Sequence, residues 1–336
     1  MALKSWTDRE IDAHALDGQR VIVFGYGAQG RAHAQNLRDS GVDVAVGLRE
    51  SSQRRARAAD DDIAVVGIAD GAAQADLAVL LVPDEVQPEL YDVSLAPKLK
   101  KGAALLFAHG YNIHYARIMP RADLDVLLVA PKGIGDQVRA TYAAGHGVPG
   151  LVAVQQDASG VALERALGYA RAVGHGRAVV LETTFADETE TDLFGEQAVL
   201  CGGITALANA GFDTLVDAGY PAELAYFECL HEIKLIADLM YARGIAGMRE
   251  SISSTAAFGD CTRGPRLIDA SVRASMRLIL EEIRSGAFAR ELAAEVDAGY
   301  PALGKAQATA RADAIEAVGA ALRARMAFLG ASHRKG

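Results

Sequence analysis

The chain has 336 residues, 51% of them apolar, with 34 Lys plus Arg against 43 Asp plus Glu and a formal net charge of −9. Its basic residues are dispersed, apart from an Arg-rich stretch after Arg49 and the His333-Arg334-Lys335 end. An acidic chain so patterned is a poor partner for nucleic acid, and no apolar run in it approaches bilayer-spanning length, so neither nucleic acid nor membrane is expected as a partner.

The three cysteines, Cys201, Cys229 and Cys261, are odd in number and lack CxxC spacing, which points to reduced thiols. Residues 1–20 mix Lys4, Asp8, Arg9, Glu10 and Asp12 with no apolar stretch, so no secretory signal and a cytoplasmic setting are expected.

From Val21 to Glu182, short β-branched runs alternate with helical patterns, the mark of a parallel sheet covered on both faces. Strands are expected at 21–24, 42–47, 63–66, 78–82, 103–107, 126–129, 151–154 and 178–181, with helices between them such as 28–40 and 160–173. After Thr184 the strand signal stops, and 192–210, 221–243, 265–285 and 302–329 carry helical periodicity. The stretch 257–265, with two Gly and one Pro, reads as the most conspicuous non-helical segment of this half. The expected fold is therefore a doubly wound α/β domain, 1–183, followed by an all-helical domain, 184–329. Leu230, Ile233, Leu235, Ile236, Leu239 and Met240 leave their helix little polar surface, so it should be buried, in part by another subunit.

The first strand runs into Gly25-Tyr26-Gly27-Ala28-Gln29-Gly30 and then a helix, the setting in which G-x-G-x-x-G binds a dinucleotide. Gly25 permits the tight turn, Gly27 lets backbone approach a pyrophosphate, and Gly30 allows close helix packing. NAD enzymes place an acidic residue about twenty positions on, for the ribose hydroxyls. Here Arg49, Ser52, Arg54 and Arg55 stand there instead, a set suited to the 2′-phosphate of NADPH.

His109 and Lys132 end two further strands at the edge where doubly wound folds bind ligands, and both could face the nicotinamide. Asp192/Glu196 and Glu228/Glu232 are carboxylate pairs at i,i+4 spacing among Leu, Phe, Tyr and Cys, where unpaired charge is costly to bury. Oxygen donors so arranged suit Mg²⁺. Glu188 and Glu190 read as more exposed, and His231 as a neighbour rather than a ligand.

These strings together resemble ketol-acid reductoisomerases (acetohydroxyacid isomeroreductases) of the short, class I type, over nearly the full length. The resemblance rests on the glycine loop, Gly47-Leu48-Arg49, Pro83-Asp84-Glu85-Val86-Gln87 and Phe107-Ala108-His109-Gly110-Tyr111-Asn112-Ile113-His114. It continues through Val129-Ala130-Pro131-Lys132-Gly133, the stretch from Glu190 to Gly203, and Ala225-Tyr226-Phe227-Glu228-Cys229-Leu230-His231-Glu232.

It implies a Rossmann-type domain and an interlocked helical domain. It also implies Mg²⁺-dependent alkyl migration in 2-acetolactate or 2-aceto-2-hydroxybutyrate, then reduction by NADPH, in valine and isoleucine biosynthesis. The implied metal ligands, for two Mg²⁺ ions, are Asp192, Glu196, Glu228 and Glu232; His109 and Lys132 are the implied catalytic residues, and Ser253 the contact to the substrate carboxylate. Implied nucleotide contacts are Tyr26, Gly27, Ala28, Gln29, Arg49, Ser52, Asp84, Glu85, Val86, Gln87 and Gly135. A homo-oligomer, at least a dimer, would share its sites through Glu228, Glu232 and Ser253.

Ala28 replaces a usual Ser, and Arg54 stands where Ser is common. Ile134, Asp136, Ser254, Ala257 and Phe258 depart from the pattern beside the substrate region. A paralogous reductoisomerase, or a 2-keto-acid reductase of another pathway, is the alternative these departures keep open; a cofactor-binding regulator without catalysis is a further one.

Overall fold

The computed structural model describes residues 2–326. Its strands are β1 (Ser5–Trp6), β2 (Arg20–Phe24), β3 (Asp43–Gly47), β4 (Ala64–Val66), β5 (Leu77–Leu80), β6 (Ala104–Phe107), β7 (Asp125–Pro131), β8 (Gly150–Gln156) and β9 (Val180–Glu182). They form one sheet in the order β1-β9-β8-β7-β6-β5-β2-β3-β4. From β4 to β7 every pairing is parallel, and the winding reverses between β2 and β5, the switch point at which doubly wound folds open a ligand crevice.

All eight expected strands are present. The all-parallel expectation fails in one place, since β8 runs antiparallel to β7. Strand patterning reports which faces are buried, and burial on both faces does not fix the direction of an individual strand. β1, which has only two residues, pairs antiparallel with β9.

Both faces of the sheet are covered, and successive residues divide between them. Val21 and Val23 join one core with Val46, Val79 and Leu106, while Ile22 and Phe24 join the other with Leu80, Leu105 and Phe107. That explains why the strands read as continuous apolar runs rather than alternating ones.

The chain divides into two compact units after Thr191, inside the helix Phe185–Gly195, so that helix's first turns belong to the N-terminal unit. Among the described residues, the elements of the C-terminal unit are all helices. Its own small core gathers Phe212, Ala225, Tyr226 and Ile315. Two short π-helical stretches, Glu196–Leu200 and Phe227–His231, interrupt it, and Gly244 at φ 70° ends regular helix inside Ile233–Ser251.

The expected loop at 257–265 is wrong. Helix Ser254–Leu267 runs through it, started by Ser253, whose Oγ accepts from Ala256 N at 3.1 Å. Pro265 lies in the last turn of this helix, where it lacks the N–H that would bond back to the Cys261 carbonyl, and the helix ends two residues later. Helix Ala287–Asp297 was not foreseen. The C-terminal helix is described to Arg325; its expected extension to 329 and the basic 333–335 end lie outside the described residues.

Burial of the apolar helix after Leu230 also fails within one chain. Leu235 is 53% exposed, and Met240, Tyr241 and Ile245 are exposed with it. The helical run Phe185–Asp217 is, against expectation, long and apolar enough to span a bilayer by length and composition alone, and little of its most apolar stretch is buried. It is interrupted by the π-helical stretch and carries Asp187, Glu188, Glu190, Asp192 and Glu196 in its first turns.

Candidate active site

The glycine loop leaves β2 at the switch point. Gly25 has φ 109°, and a Cβ there would lie 2.6 Å from Leu81 O at the end of β5; one on Gly30 would lie 2.3 Å from Gly25 O. Only glycine fits either place. The following helix, Ala28–Asp39, starts at Gly27 with no side-chain cap, so its first N–H groups face outward as an anion cradle.

Gly135 is buried against this loop, its α-carbon so close to Ala28 and Gln29 that a Cβ would meet their backbone at 2.4–2.7 Å. Gln29 Nε2 donates to Gly133 O at 2.9 Å. The structure thus gives Gly135 a packing role on the loop, and turns the Gln29 side chain toward the segment after β7.

Tyr26 is 1% exposed and points away from the cradle: its hydroxyl donates to Asp61 at 2.9 Å, and Arg31 grips the same carboxylate through two hydrogen bonds. The Arg31 guanidinium, ahead of the opposing cost of burial, holds Asp61 below the usual carboxylate range. Arg49 and Arg54 are exposed beyond β3, and the Arg54 Nη1 lies 3.8 Å from where a Cβ on Gly27 would be, at the mouth of the cradle. Ser52 Oγ accepts from Arg54 N at 3.3 Å.

At the same sheet edge, Asp84, His109 and Lys132 follow the ends of β5, β6 and β7 by one to four residues. His109 Nδ1 lies 3.8 Å from Asp84 Oδ2, and its Nε2 lies 4.0 Å from Glu188 Oε2. Burial pushes the Asp84 carboxyl up, against the lowering influence of His109. Glu188 is the centre of this group. It was expected to be exposed and is 1% exposed, with Lys132 Nζ at 3.1 Å from Oε1 and Gly110 N at 3.0 Å from Oε2.

The reason is local packing: Gly110 lacks the Cβ that would meet Thr189 Oγ1 at 2.3 Å, so the helix Phe185–Gly195 can press onto the turn after β6. Lys132 then compensates a charge that burial alone would make expensive. Glu190, half-buried, faces His114 Nε2 at 3.5 Å.

Asp192 and Glu196 follow Glu188 on the same helical run at four-residue steps, so Glu188-Asp192-Glu196 is one acidic ladder, the signal by which the sequence could have revealed Glu188. Asp192 is half-buried and Glu196 exposed. An acidic ladder of oxygen donors fits a hard divalent cation.

Two family models match the chain. Residues 15–179 match the NADPH-binding domain of acetohydroxy acid isomeroreductase, and residues 185–328 the C-terminal domain of ketol-acid reductoisomerase. The chain belongs to the ketol-acid reductoisomerase family. It is similar to the solved structure of an NADH-preferring ketol-acid reductoisomerase from an uncultured archean, at 43% identity over 96% of this chain and 98% of that one, with a TM-score of 0.93.

More distant likenesses show the fold alone. They include a semialdehyde dehydrogenase NAD-binding protein from Cupriavidus necator, at 17% identity, TM-score 0.61, over 80% of this chain and 99% of that one. A putative oxidoreductase from Jannaschia sp. matches at 14%, TM-score 0.60, over 79% of this chain and 97% of that one. The length of this reductoisomerase is that of the short, class I form, and the chain is a nicotinamide-dependent oxidoreductase and isomerase.

Within the C-terminal unit of this reductoisomerase, Glu228 and Glu232 are exposed, as is Ser253. The apolar neighbours of these acids do not bury them, because the helices that carry them are themselves poorly covered in a single chain. Both expected carboxylate pairs coincide with the π-helical stretches: Glu196 opens one and Glu228 lies in the other. Such turns close on i→i+5 and re-aim side chains, and they are frequent at functional sites. Among the described residues, the two pairs do not come together into one ligand cluster in this unit. His231 sits edge-on to the Phe227 ring, 5.3 Å between centroids.

Proposed function

We propose that this reductoisomerase converts 2-acetolactate and 2-aceto-2-hydroxybutyrate to 2,3-dihydroxy-3-methyl acids, by Mg²⁺-dependent alkyl migration followed by reduction with NADPH, in the cytoplasmic synthesis of valine and isoleucine. The observation that carries this reading is the buried Glu188 tied to Lys132 and Gly110, beside His109, at the switch-point edge of a nucleotide-binding sheet.

The nucleotide would lay its pyrophosphate on the uncapped helix start at Gly27–Ala28. Arg49, Ser52 and Arg54 would receive a 2′-phosphate, and Arg54 already lies over Gly27. Asp84, Glu85 and Val86 border the nicotinamide end, at the carboxyl end of β5. Asp192 and Glu196, with Glu228 and Glu232 contributed by a second chain, would hold two Mg²⁺ ions. When bound, these supply Lewis-acid polarisation of the substrate's hydroxyl and carbonyl oxygens.

Lys132 and His109 handle protons at the reacting oxygens, and Glu188 keeps the Lys132 ammonium oriented. Ser253, whose Oγ accepts from its own helix, retains its hydroxyl proton to donate to the substrate carboxylate, and the helix start favours that anion. Separation of the two carboxylate pairs in one chain, and the exposed apolar faces around Leu200, Leu207, Leu235 and Ile245, support a homo-oligomer with shared sites.

NADPH oxidation with 2-acetolactate, with and without Mg²⁺, tests this; metal-dependent oxidation is expected. The paralogue reading is motivated by Ile134 and Phe258, which are each 66% exposed. It would prevail if 3-hydroxypyruvate or 2-ketopantoate were reduced well above 2-acetolactate.

A further inference from the structure

We propose that Asn112 is a positioning residue for His109, acting through the loop that carries Asp84; the proposal rests on the reductoisomerase reading for the reaction it serves. Asn112 lies three residues beyond His109 in the short helix Tyr111–His114 and is 1% exposed. Its Nδ2 donates to Asp84 O and to Gln87 Oε1, both at 2.9 Å. Gln87, 5% exposed, donates from Nε2 to Val82 O at 3.0 Å and to Asp84 Oδ1 at 3.1 Å. Gln87 is therefore turned into the protein and is not a surface for nucleotide.

The chemistry of the acceptors fixes both amides. Val82 O can only accept, so Gln87 presents its nitrogen there and its oxygen to Asn112. Asn112 must then present its nitrogen to that oxygen and to Asp84 O; either amide flipped would set oxygen against oxygen.

The other end of Asn112 is equally held. Its main-chain carbonyl accepts from Arg117 N at 2.9 Å and Ile118 N at 3.0 Å, which closes the turn through Ala116 at φ 52°. A left-handed alanine costs about 1 kcal/mol, so this closure is not one the chain adopts by default.

The two amides thus sew the loop after β5 to the turn after β6. What they place is the Asp84 carboxylate, bonded at Oδ1 by Gln87 and set 3.8 Å from His109 Nδ1 at Oδ2. The imidazole stands between Asp84 on one nitrogen and Glu188 on the other. An apolar pair could fill the same volume, but only paired amides fix the height of the Asp84 loop against the histidine.

The test uses the full chain with Asn112→Ala, Asn112→Asp and Gln87→Met. Turnover of 2-acetolactate should fall roughly 10²-fold, while the dissociation constant of the reduced nucleotide, read by its fluorescence, changes less than threefold. In an Asp84→Asn background the Asn112→Ala loss should nearly vanish, because both act through one contact.

A folded Asn112→Ala enzyme with turnover within twofold of the parent overturns the proposal, as does an equal loss in both backgrounds. A parent that fails to turn over acetolactate sinks the reductoisomerase reading alone. Positioning is then decided by the His109 ring ¹⁵N signals, which should shift alike in Asn112→Ala and Asp84→Asn; unshifted signals in either overturn it.

Discussion

The ion pair between buried Glu188 and the more exposed Lys132 makes a quantitative prediction about charge. In Lys132→Met the Glu188 carboxylate keeps the Gly110 N–H at 3.0 Å and the His109 ring at 4.0 Å but no permanent cation, in a site where it is 1% exposed. Leaving one partner of a buried pair alone costs about 3–5 kcal/mol. Glu188→Gln is milder. Its amide oxygen can still accept from Gly110, and Lys132, with a side chain 32% exposed, can turn toward water, so a loss of about 1.5–3 kcal/mol is expected.

The double variant retains neither charge, and it should therefore be more stable than Lys132→Met alone, with a coupling of about 2 kcal/mol or more. Urea unfolding in EDTA at pH 7.5 measures all four chains. The single tryptophan, Trp6, lies in β1 and reports on the N-terminal unit. Additive losses, or a Lys132→Met cost below about 1 kcal/mol, would refute the argument that Lys132 compensates the burial of Glu188.

Three further outcomes are expected. His33 and His175 are fully buried, and desolvation, the largest cause for each, depresses them from 6.5 to about 3 and about 4; their neighbours are Tyr169 Oη and Val148 O. A histidine held neutral contributes stability that is present above the unfolded value of about 6.5 and is lost as pH falls toward the folded value, so the two together should lose roughly 3 kcal/mol between pH 6.5 and 5. His33→Leu should remove about half of that dependence, and an unaltered pH profile in this variant would contradict it.

Arg49→Ala should weaken NADPH binding about 10- to 100-fold, the worth of a charge-assisted phosphate bond, and NADH far less. Equal losses would remove Arg49 from a 2′-phosphate site. Glu228→Gln should leave nucleotide binding near the parent's while Mg²⁺-dependent turnover disappears; retained turnover would take Glu228 out of the metal site.

The sequence by itself determined the elements of the sheet and the nucleotide cradle, because these depend on local physics. Strands such as β2 and β6 are apolar on both faces, and Gly25 and Gly30 occupy places where no Cβ fits. It also determined the family, through strings long enough to be specific.

What it could not decide was anything set by contacts distant in sequence. The direction of β8 falls in this class, and so does the inward turn of Tyr26 onto Asp61 and of Gln87 onto Asn112. Glu188 is the clearest case. A carboxylate on a helix reads as solvated until tertiary packing brings Gly110 and Lys132 from two separate strand ends to meet it. Burial of charge is decided by the partner that compensates it, and that partner lies 56 residues away.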